Sequence, residues 1–184
     1  MKQIRETSDF VCKKLIEKLP ITDGSKILEP SIGEGKIIKY LLDHYTMGGL
    51  DIHGLELNKE RVFTASDNLY PYRDVRGIKV NIQQGDFLDY KPNLTKPFDV
   101  IIACPPFKGN IDLRHIGKMY EMLKYKGMMA SLTSPYWMTN NEPLQVEFRN
   151  WLKDKNYQFE LLPDNTFVEK EKNVPTGIIT IYKK

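Results

Sequence analysis

Apolar residues along this chain follow two alternating rhythms. Short runs that are apolar at most positions alternate with longer stretches in which apolar residues return every three or four places. The first kind suits a strand buried on both faces, the second a helix with one buried stripe. The runs predict strands over 25–28, 51–57, 79–83, 98–103 and 128–133, with helices between them. Ser8 can cap an opening helix that carries Phe10, Val11, Leu15, Ile16 and Leu19 on one face and stops at Pro20. A second helix is predicted over 36–45 and a third from a cap at Asn58 to 69. A fourth, capped by Asn110, carries Leu113, Ile116, Tyr120 and Leu123 and ends at Gly127. Residues 143–155 place Leu144, Phe148, Trp151 and Leu152 at helical spacing. Strand and helix in alternation predict an α/β fold, with a mostly parallel sheet and helices on both faces. The last two strands, 157–162 and 177–182, have no crossover helix between them, which favours antiparallel pairing at the end of the sheet.

Composition bounds this picture without changing it. The 184 residues suffice for one α/β domain, and a single domain over 1–184, without a separate target-recognition domain, is expected. A net charge of +3 permits nucleic-acid binding but does not argue for it. No apolar stretch of about 18 residues occurs, so no membrane span is expected. The amino terminus lacks the apolar segment of a secretory signal. Cys12 and Cys104 make no disulfide framework, and Cys12 suits small packing. The expected setting is cytoplasmic. His44, His53 and His115 are far apart and lack metal-ligand spacing, so no metal site is expected.

The chemistry-bearing residues lie at the carboxyl ends of the predicted strands, where open α/β sheets bind ligands. After the first strand comes Glu29-Pro30-Ser31-Ile32-Gly33-Glu34-Gly35, whose glycines let backbone approach a ligand that a Cβ would obstruct. It has neither the Lys-Ser/Thr of a P-loop nor the third glycine of a dinucleotide fingerprint. Glu56 ends the second strand about 20 residues past the glycines, where an acid can accept from ribose hydroxyls. An alternative is a helix-start carboxylate favoured by the helix dipole. Asp86 follows the third strand and can accept from an adenine amine or serve as a turn residue. The fourth strand stops at Cys104-Pro105-Pro106-Phe107, a rigid corner in which neither proline has an N–H. Its fixed carbonyls and aromatic ring suit a planar amine that must be gripped and stacked.

Taken together, these segments resemble the class I S-adenosylmethionine-dependent methyltransferases, and more narrowly the adenine-specific DNA amino-methyltransferases. Residues 28–35, Leu-Glu-Pro-Ser-Ile-Gly-Glu-Gly, resemble their first motif. Glu56, followed by Leu57, matches the ribose-binding acid, and Gly85-Asp86-Phe87 the adenine-contacting segment. The opening helix at Thr7-Ser8 resembles the motif that covers the cofactor. Cys104-Pro105-Pro106-Phe107 stands where the family carries Asn/Asp/Ser-Pro-Pro-Tyr/Phe. The resemblance implies a Rossmann-like sheet of seven strands in the order 3-2-1-4-5-7-6, strand 7 antiparallel. It implies S-adenosylmethionine as cofactor, bound by Thr7, Glu29, Pro30, Gly33, Gly35, Glu56, Leu57, Asp86 and Phe87. It implies a target base swung out of the duplex. The side chain at 104 and the Pro105 carbonyl would accept from the amine, Pro106 would rigidify the corner, and Phe107 would stack on the base. Phe167 resembles the aromatic facing the target in the last motif, within the loop 163–176. Lys108, with Lys118, Lys124 and Lys126, is placed to meet phosphates or to form a solvated face.

Two departures from the pattern bear on function. Cys104 is a weaker acceptor than Asn, Asp or Ser. No element for reading base edges in a groove is evident, which implies a specificity subunit, a short recognition loop or another substrate. The expected activity is methyl transfer to an exocyclic amine, foremost adenine in DNA. The alternatives are an RNA or protein-glutamine methyltransferase, or a cofactor-binding subunit without turnover.

Overall fold

The computed structural model describes residues 7–91, 97–164, 166, 168–169 and 172–184. Its strands are β1 (Lys26–Glu29), β2 (Asp51–Glu56), β3 (Lys79–Gln84), β4 (Phe98–Ala103), β5 (Leu123–Thr133), β6 (Asn156–Leu161) and β7 (Gly177–Tyr182). They form one seven-stranded sheet in the order β3-β2-β1-β4-β5-β7-β6. The pairs from β3 through β5 are parallel, and β7 is antiparallel to β5 and β6. Order and directions are those the resemblance implies. Val168–Glu169 and Lys172–Asn173 pair as a second, small antiparallel sheet.

Successive residues of the central strands point to opposite layers. Ile27, Ile52, Val100 and Ile102 join the layer formed by α1 (Asp9–Ile16), α2 (Lys36–His44) and α3 (Lys59–Leu69). Leu28, Ile101 and Met129 join the layer formed by α4 (Ile111–Met122) and α5 (Pro143–Leu152). Both faces are therefore dry, which is why these strands are apolar at consecutive positions instead of alternate ones. Among the described residues no helix is long and apolar enough to cross a membrane.

Two of the predicted caps form as expected. Ser8 accepts from the Val11 N–H and Asn58 from the Arg61 N–H. Asn110 does not cap α4 with its side chain. Its backbone is left-handed (φ 57°), and its amide donates to Glu142 (2.6 Å) and accepts from Gln145 (3.0 Å) on the start of α5. Phe10 is half exposed and falls off the buried stripe of α1. Gly127 does not end α4, which stops at Met122 because the chain joins the sheet at once, Leu123 pairing with Phe98. Gly127 lies inside β5 beside the left-handed Lys126, where a Cβ would come within 3.0 Å of the Asp99 carbonyl.

The sharpest packing constraint is at the start of β7. A Cβ on Gly177 would lie 2.3 Å from Phe159 Cζ and 2.7 Å from the Glu160 carbonyl. Gly177→Ala is therefore expected to destabilise the fold by about 1–3 kcal/mol, the cost of overpacking. A lowered urea midpoint with an unchanged slope would register it.

Candidate active site

Parallel register gathers the site. β1 pairs Glu29 with Gly54 and Leu28 with Ile101, so Glu29, Glu56 and Cys104 lie at or just past the carboxyl ends of adjacent strands. This is the switch point of the sheet, where β2 flanks β1 on one side and β4 on the other. The loop after β1 is clasped onto β2. Ile32 N–H donates to the Leu55 carbonyl (2.9 Å), and Gly33 N–H donates to Glu56 Oε2 (3.0 Å). The close approach needs Gly54, since a Cβ there would fall 2.5 Å from Ile32 Cδ1. Gly33 and Gly35 are both left-handed (φ 58° and 83°), and Gly35 opens α2. On the other side Ser31 Oγ lies 3.5 Å from Nδ1 of the buried His115 in α4. Burial holds that imidazole neutral, down to a pKa of about 4.

Glu29 is 1% exposed, and its Oε2 has no hydrogen-bond partner among the described residues. Desolvation, and then the charge of Glu56, push its carboxyl well above the usual range, against a hydrogen bond from the Ile38 backbone that lowers it. Glu56 is also buried. Besides Gly33 it accepts from Asn58 N–H through Oε1 (2.9 Å), and Arg61 Nη1 stands 4.0 Å from its Oε2. Leu57, the next residue, is 66% exposed, an apolar side chain without packing at the mouth of the cleft. Asp86 is exposed and accepts from Leu88 N–H at 2.8 Å, a turn interaction. The Phe87 ring is buried, 4.9 Å from the His115 ring.

At the proline corner Cys104 is half-buried and hydrogen-bonded to the Thr7 side chain. Burial raises its thiol to a pKa of about 11; Glu29 adds to the rise, while Thr7 and the charge of Arg61 oppose it. The thiol therefore stays protonated at neutral pH. Pro30 and Pro105 are buried, Pro106 and Lys108 are exposed, and Phe107 packs partly against the core. Asn110 N–H closes the corner on the Phe107 carbonyl (3.2 Å). The corner is braced from behind by the buried Asp112, which accepts from Thr133 Oγ1 (2.7 Å) and Ser134 N–H (3.1 Å) at the end of β5. Phe167 lies outside the described residues. Of the other lysines, Lys118 donates to the Leu88 carbonyl (2.6 Å), and Lys124 pairs with Asp99 at the opposite, amino-terminal ends of β5 and β4. Two surface cavities, of about 320 and 390 Å³, also lie away from this cleft, around Tyr120 and Lys155 and around Ser25 and Lys126. Arg61, Asp112 and His115 had no sequence signal beyond their places on helices. Among the described residues no cluster could hold a metal ion.

Residues 7–130 match the family model described as N-6 DNA Methylase. No curated protein matches the chain. Among solved structures, a type I restriction-modification methyltransferase subunit from Streptococcus thermophilus superposes with a TM-score of 0.81 at 18% identity, over 97% of this chain and 44% of that one. The M protein of the type I restriction enzyme EcoKI superposes with a TM-score of 0.76 at 17% identity, over 100% and 44%. An rRNA methylase from Streptococcus thermophilus superposes with a TM-score of 0.64 at 16% identity, over 98% of both chains. The chain thus spans under half the length of the two restriction-modification proteins.

Two outcomes follow from the site's electrostatics. A carboxyl whose folded pKa is raised holds its proton longer in the native than in the unfolded state. Its contribution to stability is complete below the unfolded pKa and is lost as pH rises through the folded one. Melting curves across pH should therefore show Glu29→Gln gaining stability relative to the parent as pH climbs above the ordinary glutamate range. A difference that stays flat or reverses would contradict the burial argument. For Cys104, a pKa of about 11 leaves roughly one thiol in 10⁴ ionised at pH 7. Its alkylation by iodoacetamide, followed by peptide mass, should quicken about tenfold per pH unit between 7 and 10. A plateau below pH 9 would show an activated thiol instead.

Proposed function

Since the chain belongs to the N-6 DNA methylase family, we propose that it transfers the methyl group of S-adenosylmethionine to the exocyclic amine of adenine in DNA. The observation that carries this reading is the meeting, at adjacent strand ends, of a buried unpartnered carboxylate oxygen, a left-handed glycine loop and the proline corner. The residues fit the cofactor's chemistry. Glu29 Oε2 is a buried acceptor suited to an ammonium group, Glu56 is an acid held by two backbone donors, and Leu57 is an exposed apolar cover for a flat base. Thr7, Pro30, Gly33, Gly35, Asp86 and the backbone of Phe87 complete the proposed cofactor contacts.

The cofactor supplies a methyl group on a positively charged sulfur, which departs as a neutral thioether. The chain's task is to turn the amine toward it. That nitrogen is a poor nucleophile because its lone pair is delocalised into the ring. The Pro105 carbonyl, fixed by two flanking rings and unused by any backbone donor among the described residues, accepts one amine hydrogen. Cys104 Sγ faces the other as a weak acceptor. Drawing both hydrogens toward the corner returns the lone pair to nitrogen and aligns it for in-line attack, so alignment carries much of the rate. The new N–C bond forms as the C–S bond breaks, and the alkylated nitrogen sheds one hydrogen as a proton to solvent. Phe107 stacks on the base, a contact worth about 1–3 kcal/mol in single-strand binders. Lys108 and Phe167 are proposed contacts to the substrate. Sequence selection is assigned to a specificity subunit, in a cytoplasmic setting, with residues 1–184 acting as one methyltransferase domain.

The poor acceptor at 104 favours a second reading, a cofactor-binding subunit without turnover. Titration calorimetry with S-adenosylhomocysteine, together with tritiated methyl transfer to DNA, RNA and protein, separates the two. The expected result is binding by the parent, weakened roughly 10- to 100-fold in Glu56→Ala, the worth of hydrogen bonds to a charged group. Label should enter N6-methyladenine of DNA, faster with Cys104→Asn than with the parent. Binding without transfer to any polymer selects the second reading, label confined to RNA or protein changes the substrate, and no binding ends both.

A further inference from the structure

The cleft between Gly33 and Glu56 already holds one of the chain's own side chains. Arg61 lies in the first turn of α3 and folds back over the loop after β1. A Cβ built on Gly33 would lie 2.6 Å from its Nη2 and 3.3 Å from its Cζ. The space that a glycine leaves open for a ligand is thus filled by a guanidinium.

That guanidinium is poorly held. Its Nε is buried without a partner among the described residues, and its ion pair with Glu56 is long, 4.0 Å. Four ångströms exceeds hydrogen-bond range, so the attraction is coulombic only. The side chain is 22% exposed, so part of its hydration is gone, and burying a charge is costly unless its donors are satisfied. It also springs from the amino-terminal turn of a helix, where the dipole disfavours a cation. Among the described residues no side-chain hydrogen bond fixes the guanidinium, and solvent lies within reach of its long, flexible stem. Glu56, in contrast, does not depend on Arg61 for its position, because Gly33 and Asn58 N–H groups anchor both of its oxygens. The acid would therefore keep its place if the arginine left.

Resting on the reading of this cleft as the cofactor site, we propose that Arg61 is a resident competitor for the ribose end of the cofactor. The guanidinium occupies the place between Gly33 and Glu56 and swings out to solvent when the ribose hydroxyls come to the Glu56 carboxylate. Arg61 thereby sets cofactor affinity, because a site open only part of the time binds more weakly by the fraction that is open.

Calorimetric titration of S-adenosylhomocysteine and of adenosine into the parent, Arg61→Ala and Arg61→Gln tests this, with melting curves to verify that each variant is folded. The shorter Ala and the neutral Gln guard against a defect peculiar to either. If the guanidinium fills the site about 70–90% of the time, both variants should bind both ligands about three- to tenfold more tightly than the parent. Adenosine has the ribose but no amino-acid tail, so equal gains for the two ligands locate the competition at Glu56. Unchanged affinity overturns the proposal. So does weaker binding of S-adenosylhomocysteine with adenosine unaffected, which would make Arg61 an anchor for the cofactor's carboxylate while leaving the cofactor-site reading intact. Absence of binding by all three folded proteins overturns the cofactor-site reading and the proposal together.

Discussion

The hydrogen bond from Gly33 N–H to Glu56 Oε2 is the joint on which the site depends. It ties the loop after β1 to the end of β2, and the Ile32–Leu55 backbone bond and the Gly54–Ile32 contact keep the two together. A carboxylate that accepts two backbone N–H groups is a fixed object, not a mobile side chain. With Glu56 fixed, the glycine loop, Glu29 beneath it and Arg61 above it take their places. With the loop fixed, Ser31 reaches His115, and α4 is referenced to the same frame.

The two carboxylates of the cleft are treated differently by their surroundings. Glu56 is satisfied by backbone donors, whereas Glu29 is enclosed with one oxygen unpartnered. An enclosed oxygen without a partner is costly, and that cost is what raises the Glu29 carboxyl above the usual range. Across the cleft, Cys104 is neither a strong acceptor nor an ionised nucleophile. The corner's rigidity thus comes from the prolines and from Asp112, which locks the end of β5 to the first turn of α4.

Much of the architecture was legible because burial on two faces leaves a plain record. Val100 through Ala103 could hardly be anything but a central strand, and the Asn58 cap followed from residue chemistry alone. Gly127 misled because a glycine after a helical stripe reads as a terminator, while the sheet drew Leu123 into pairing several residues earlier. Asn110 misled for a similar reason. Its side chain had long-range partners, Glu142 and Gln145, whose proximity no local pattern records. The Phe87 ring packs against His115, far along the chain, a contact that no local pattern records.

By itself the sequence determined the alternation of strands and helices and the placing of acid, glycine and proline residues at strand ends, because these follow from spacing and from backbone constraints local to each residue. The tertiary structure decided what those residues experience. Glu29 is left with an unpartnered oxygen, Glu56 is held by Gly33 and Asn58, and Arg61 lies in the cleft instead of in solvent. Each of these depends on distances between segments that only sheet register and helix packing set, and desolvation, which fixes charge and affinity, exists only once the layers have closed.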